Sequence, residues 1–208
     1  MSIKISIKNS LDQKSVKNHV FFTNKNFKIN ELSKLPISKF SSFLNQSLSS
    51  NELGDKNFLS LDINASQKVI LIKIKDSQSP FDIEKIGAEF YVYLKSNLYL
   101  KTTFYEQNIR ETFPKNKFFF DQFAHGLQLK SYEFNKYKSK SKEKKFDIEV
   151  FNKNKTFQFN KNKKYRSLIE GTNLTKDLVS EPGNILHPDE YAKRLLPVSY
   201  THLTLPTT

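Results

Sequence analysis

The chain has 208 residues, a formal net charge of +13 and a pI near 9.6, with 37% hydrophobic residues that include 19 Phe and 9 Tyr. It contains no cysteine, which excludes disulfides, thiolate metal sites and cysteine nucleophiles. The aromatic side chains bury large areas and suffice for a core, and the length fits one large domain or one domain with an appendage.

Apolar alternation in the first half of the chain predicts strands at 2–8, 19–23, 57–63 and 68–74. The first of these alternates polar and apolar residues, so we interpret it as a strand and not as a signal peptide. The fourth is the run richest in β-branched residues and predicts a central strand buried on both faces. Between them, Pro36 predicts the start of a helix. Its apolar positions are Ile37, Phe40, Phe43, Leu44 and Leu48.

The middle of the chain predicts two further helices and two further strands. Asp82 is the expected cap of the first helix, and Gly87 within its apolar stripe predicts close packing on the sheet. The other members of that stripe are Ile83, Ile86, Phe90 and Leu94. A strand at 98–105 follows, then a helix at 117–132 and a strand at 146–151. The inner face of the second helix is expected to consist of Phe120, Phe123, Ala124 and Leu127.

A long connecting helix is predicted next, with apolar residues along one broad arc that we expect to be buried over more than half of the helix circumference. These are Tyr165, Leu168, Ile169, Leu174, Leu178 and Val179. Pro182 and Gly183 should end this helix, the glycine in left-handed geometry. Pro188, Asp189 and Glu190 mark the start of another. Alternating strands and helices predict an α/β fold, a central mixed sheet with helices on both faces.

Two stretches carry a family resemblance. Residues 173–188 (NLTKDLVSEPGNILHP) and 126–138 (GLQLKSYEFNKYK) resemble the leucyl (cytosol) aminopeptidase family. The first is similar to the family's connector, roughly N-L-A-R-D-L-V-N-x-P-x-N-x-L-x-P, and the second to its G-L-x-L-x-x-Y-x-F-x-x-Y-K segment. Thr175, Lys176 and Ser180 depart from the connector pattern. With the weaker pattern before them, the resemblance covers residues 1 to about 195.

The resemblance implies a domain plan. Residues 1–162 would be the family's non-catalytic N-terminal α/β domain, which is macro-domain-like, and residues 163–195 its connector helix and the start of a catalytic domain that the chain lacks. Residues 196–208 have no charged side chain and are rich in threonine. We expect them to be a disordered, non-native tail that resembles sequencing-adapter read-through, a genuine Pro/Thr-rich tail being the alternative.

The resemblance also implies a function. Members of the family are cytoplasmic homohexamers that release N-terminal residues from peptides with two divalent metal ions, Mn or Zn, and the metals activate water and polarise the scissile carbonyl. The family's metal ligands lie beyond the connector. We therefore assign no catalytic, metal or cofactor-binding residue here, and expect the chain alone to be inactive. The sequence has no apolar run of about 18 residues, so no membrane segment is predicted.

Other candidate residues are expected to be structural. The four histidines, His19, His125, His187 and His202, are isolated from one another and match no metal-ligand spacing. Glu181 and Asp189 flank the joint between the last two helices, where helix-end electrostatics explain them better than acid/base chemistry does.

The basic charge leaves a second hypothesis open. Six lysines lie between 136 and 145, but they alternate with serine and are typical of a solvated loop, and the composition also fits an A/T-rich codon bias. The alternative function is a free-standing basic α/β module that binds nucleic acid or a nucleotide-like ligand. Scarce arginine argues against base readout. A nucleotide site would need backbone amides exposed at a strand-to-helix turn.

Overall fold

A computed structural model describes residues 3–12, 14–29, 37–50, 56–75, 78–138, 144–153, 155, 157, 159 and 163–202. The strands are β1 Ile3–Lys8, β2 Asn18–Thr23, β3 Phe58–Asn64, β4 Gln67–Lys73, β5 Lys101–Tyr105 and β6 Phe146–Phe151. The helices are α1 Ser41–Ser50, which follows a 3-10 turn at Ser38–Phe40, then α2 Pro80–Asn97, α3 Glu106–Thr112, α4 Phe119–Lys130, α5 Lys163–Ser180 and α6 Pro188–His202.

The six strands form one mixed sheet in the order β1-β6-β5-β2-β4-β3. All neighbours are parallel except β3 and β4, which are antiparallel. The tight turn between these two explains the exception, because the Asn64 side chain accepts hydrogen bonds from the backbone amides of Ser66 and Gln67. The predicted buried strand is confirmed as β4, whose residues from Val69 to Ile72 are fully inaccessible, although it lies next to the edge strand β3.

Helices cover both faces of the sheet, as predicted. One face carries the larger apolar cluster, to which α2, α3 and α4 contribute Phe90, Ile109 and Phe123. The other face carries a smaller cluster with Leu44 from α1. Within the predicted apolar stripe of α1, Phe43 is exposed, and Pro36 lies outside the described residues.

The helices α2 and α4 contact each other through two glycines. A Cβ on Gly87 would lie 2.0 Å from the carbonyl oxygen of Phe123, and a Cβ on Gly126 would lie 1.8 Å from that of Glu84. The prediction that Gly87 packs on the sheet is therefore wrong: the missing side chain admits the backbone of α4. The apolar stripe of α2 and the inner face of α4 are confirmed as buried.

Two predicted starts need correction, that of helix α2 and that of strand β5, and one short helix was missed. Ser79, not Asp82, is the N-cap of α2, because Pro80 already fixes the first helical position. Asp82 completes a capping box, with Ser79 Oγ accepting from its amide at 3.2 Å. Strand β5 begins at Lys101, since Leu98 takes a left-handed conformation that caps α2. The short helix α3 was not predicted.

The connecting helix α5 is less buried than its periodicity predicts. Only Tyr165, Ile169 and Leu178 of its described side chains are buried, while Leu168 is 42% and Val179 81% exposed. The apolar residues of α5 do lie along one arc, but the other described residues bury only part of that arc.

The α5–α6 joint is a compact turn. Pro182 follows the end of α5, as predicted, and its carbonyl accepts the amides of Ile185 and Leu186. Gly183 is not in the predicted left-handed geometry. Helix α6 begins at Pro188 and continues to His202. The backbone is thus helical beyond Leu196, where we expected order to end; residues 203–208 lie outside the described residues.

Candidate functional site

The α5–α6 joint is organised around the Glu181 carboxylate, whose side chain is only 1% exposed. Its Oε1 accepts from Lys136 Nζ at 2.5 Å and from Arg194 Nη1 at 2.7 Å. Its Oε2 accepts from the Tyr137 hydroxyl. Arg194 in turn donates through Nε to Glu190 Oε1 at 2.8 Å. We call these five residues the joint cluster; it ties the end of α5, the segment after α4 and helix α6 together.

These contacts decide the charge state of Glu181. Hydrogen bonds from Lys136, Tyr137 and Arg194 lower the pKa of the Glu181 carboxyl to about 2, because each donor stabilises the ionised form. The same bonds raise the pKa values of Lys136 and Arg194. A carboxylate held ionised, with both oxygens occupied by donors, is unsuited to accept a proton at neutral pH. The joint cluster is therefore structural.

Sequence reasoning assigned Glu181 to helix-end electrostatics, and that interpretation is wrong. Glu181 lies just beyond the C-terminus of α5, where the helix dipole disfavours negative charge. Cations from elsewhere in the fold neutralise it instead. Asp189 is exposed in the first turn of α6, where a negative charge is favourable, as predicted.

More contacts join the same segments. The Tyr132 hydroxyl donates to Asp177 Oδ1 at 2.7 Å, and Lys176 Nζ donates to the Leu129 carbonyl at 2.9 Å while lying 5.1 Å from the centre of the Tyr132 ring. The two stretches with the family resemblance, 126–138 and 173–188, are thus in contact through at least three pairs. In the sequence, this contact was indicated only by the fact that both stretches resemble segments of the same family.

A cavity of about 870 Å³ opens beside the joint cluster. Phe134, Leu174 and Leu178 supply its apolar surface, and Lys136, Asp177 and Arg194 supply charges of both signs. The charged groups already pair with one another or with Glu181 and Tyr132. The cavity is therefore a cleft between α5, α6 and the segment after α4 rather than a site built for one kind of ion.

The structure does not bring the predicted histidine candidates together. His19 is buried, with Nδ1 2.6 Å from the Tyr105 hydroxyl, and desolvation lowers its pKa to about 4. His125 is buried where its ring packs 5.4 Å from Tyr165, with Nδ1 3.2 Å from Glu84 Oε1. His187 is exposed in the joint, and nothing is described of the His202 side chain.

Within the described ranges, no group of three or more His, Cys, Asp or Glu side chains could hold a metal ion. The helices among those ranges include none that is long and apolar enough to cross a membrane.

Part of the chain is similar in sequence to cytosol aminopeptidases. The chain is 37% identical over 79 residues to a protein of Phytoplasma mali named as a probable cytosol aminopeptidase, in a match that covers 35% of this chain and 16% of that protein. It is 32% identical over 75 residues to the protein of the same name in Rhodopseudomonas palustris, with 34% and 15% covered. These matches support an assignment of the chain to the cytosol aminopeptidase family, over about a third of its length. No family model matches it.

Solved structures extend the match across the fold. A mutant of tomato leucine aminopeptidase superposes with a TM-score of 0.63 at 18% identity, covering 96% of this chain and 42% of that one. A cytosol aminopeptidase of Coxiella burnetii gives 0.55 at 12% identity, covering 96% and 38%. The chain therefore has the α/β fold of the N-terminal domain of leucine aminopeptidase. It spans less than half the length of the proteins that it matches.

Proposed function

We propose that this chain is the non-catalytic N-terminal portion of a two-metal aminopeptidase that releases N-terminal amino acids from peptides. The observation that carries the proposal is the structural match, in which nearly all of this chain, including the connector, aligns with under half of a leucine aminopeptidase. The sequence matches support the same relation, since each covers about 15% of its relative.

Under this proposal the described residues supply the scaffold of that reaction. Among them, no three or more His, Cys, Asp or Glu side chains cluster so as to hold a metal ion, whereas one structural neighbour, the bottromycin maturation enzyme, is known in complex with Mn. Under this proposal the metal ions, Mn or Zn, belong to residues that follow the connector. Hydrolysis would then require a second domain, and this chain alone would be inactive in the cytoplasm.

The joint cluster gives the N-terminal portion a specific task. It fixes the direction in which α6 leaves α5, because Arg194 on α6 and Lys136 after α4 share the Glu181 carboxylate. Under the proposed domain plan of 1–162 and 163–195, that direction sets how the catalytic domain is held. The resemblance further suggests a homohexamer, which sedimentation of the intact protein would test.

Reading the source DNA past codon 195 from an independent clone tests the proposal. We expect an open frame that continues into a domain with carboxylate and lysine metal ligands. A frame that closes without such a domain would refute the aminopeptidase function and leave a binding module as the explanation.

A further inference from the structure

The mixed sheet ends at the antiparallel strand β3, which has no strand partner on its outer side within the described ranges. The hydrogen-bond pattern shows which main-chain groups line that outer edge. The Lys73 amide donates to the Asn57 carbonyl at 2.8 Å, so the odd-numbered residues of β3 bond inward to β4. In an antiparallel strand the alternate residues bond to the opposite side. Phe58, Ser60 and Asp62 therefore present their amides and carbonyls at the outer edge.

The two edge strands of the sheet are not equally protected. Strand β1, at the other edge, carries the exposed residues Lys4 and Lys8. Charged side chains, lysine above all, prevent an edge strand from pairing with another chain. Strand β3 carries a single charged residue, Asp62, which already pairs with Lys68 of the adjacent strand. The outer edge of β3 is therefore better suited to accept another strand.

The apolar side chains of β3 are only partly buried by their own chain. Leu59, Leu61 and Ile63 pack against the smaller apolar cluster on the face that carries α1, and they keep intermediate exposure. Phe58 on the opposite face packs on Phe90, with ring centroids 5.6 Å apart, and is also half-buried. A strand added at this edge would cover more of these apolar surfaces, and that burial favours association.

The sequence of β3 fits a second copy of itself in the antiparallel direction. With Ser60 on a twofold axis, Leu59 of each copy lies opposite Leu61 of the other copy. Lys56, an exposed residue two positions before the strand, then lies diagonal to Asp62 of the second copy, within reach of a long side chain. The pairing joins apolar side chains on one face and opposite charges on the other. It is also isologous, as a twofold dimer requires.

We propose that two copies of this chain pair through the outer edges of their β3 strands and form one continuous sheet. Ser60 exchanges its main-chain hydrogen bonds with Ser60 of the second copy, and Phe58 does so with Asp62 on each side of the axis. The register of β3 is regular from Phe58 to Asp62, so these bonds need no distortion of the strand. The dimer does not depend on the aminopeptidase function, and its failure would leave that proposal intact.

Sedimentation velocity of the full chain tests the dimer. One pair of strands is a small interface, so the chain should be followed from about 10 μM to about 1 mM. A salt concentration of about 0.15 M screens the repulsion between the two basic copies. We expect a reversible shift from the 24.3 kDa monomer to a particle of twice that mass. A chain that stays monomeric over this range would overturn the proposal and leave a peptide strand as the occupant to test.

Charges placed at the twofold axis identify the interface. Ser60→Lys puts two ammonium groups opposite each other and should weaken dimerisation at least about tenfold, because like charges in an interface repel strongly. Ser60→Glu should do the same, and an equimolar mixture of the two variants should restore the dimer. The matched control is Ser6→Lys, the same change at a half-buried serine of β1, which should leave dimerisation unchanged. Because Ser60 Oγ lies 3.1 Å from the Tyr99 hydroxyl, circular dichroism checks that the variants fold.

Amide hydrogen exchange of the unsubstituted chain gives a second test that needs no variant. The amides of Phe58, Ser60 and Asp62 should be protected only at concentrations where the dimer forms, whereas those of Leu59 and Leu61 should be protected at every concentration. A dimer that leaves the Ser60 amide unprotected would overturn the proposal. So would a dimer that persists in Ser60→Lys, a mixture that fails to restore it, or an equal loss in the control.

Discussion

Substitution of Gly126 by alanine should open the contact between α2 and α4. The new Cβ would lie 1.8 Å from the Glu84 carbonyl oxygen and 2.5 Å from its carbonyl carbon, where about 3.4 Å is the closest ordinary approach. The obstacle is helix backbone, so the helices must separate by more than about 1 Å. That separation loosens the contacts of Ile83, Phe90 and Phe123, which are now 0 to 3% exposed.

The cost follows from overpacking, which is typically about 1–3 kcal/mol and occasionally more. A rigid backbone obstacle belongs at the upper end, and the better helix propensity of alanine returns up to about 1 kcal/mol. We expect Gly126→Ala to lower the free energy of unfolding by about 2 kcal/mol, or roughly 4–8 °C in Tm. Urea unfolding followed by far-UV circular dichroism measures this.

The control is Gly171→Ala in α5, where a Cβ meets no atom within 4 Å. That variant should stabilise the chain, by up to about 1 kcal/mol. Equal stability of Gly126→Ala and the unsubstituted chain would refute the close helix contact. The close helix contact would also be refuted if both alanine variants changed stability by the same amount, because helix propensity alone would then explain the effect.

Four further predictions concern charged groups and a helix cap. Glu181→Gln should speed hydrogen exchange in α6 but not in β4. The control is Glu170→Gln, an exposed residue that pairs with Arg166 within α5. Unchanged exchange in α6 would contradict the joint cluster. The pKa of Glu181 is lowered to about 2. The stability that its ionised contacts contribute should therefore be fully present above pH of about 4.5 and be lost as the pH falls toward 2. NMR titration of the Glu181 carboxyl group measures this change. The pKa of His19 is lowered to about 4 in the folded chain, so below pH 6.5 the unfolded chain binds a proton on this histidine that the folded chain does not. The free energy of unfolding should therefore fall by about 3 kcal/mol between pH 6.5 and 4. A His19→Gln variant whose stability falls equally with pH would exclude this cause. Ser79→Ala should lower stability by about 1 kcal/mol in thermal unfolding, and no change would show that the capping box of α2 is dispensable.

Local patterns predicted most of the sheet and the faces of its helices, because apolar periodicity reports which side of an element is buried. They failed for α3, in which Ile109 is the sole buried apolar side chain among seven residues. That helix is held by a nonlocal contact. The Asn108 amide accepts from the Phe22 backbone amide and donates to the Phe22 carbonyl, and no local pattern reports a bond across 86 residues.

The candidate site shows the same limit. Glu181 was singled out from the sequence, but its partners Lys136 and Tyr137 lie more than 40 residues before it, in a segment that resembles a solvated lysine loop. Spacing along the chain carries no information about such pairs. The periodicity of α5 likewise showed an apolar arc but not that Leu168 and Val179 would stay exposed in this chain.

The most direct test of the account is an aminopeptidase assay on the protein encoded by the complete reading frame. Hydrolysis of leucine p-nitroanilide would be measured with Mn²⁺ or Zn²⁺, after chelation, and with residues 1–195 alone. The account predicts metal-dependent release of leucine by the complete protein and none by residues 1–195. A complete protein that is folded and metal-loaded but inactive on this and other N-terminal residues would contradict it.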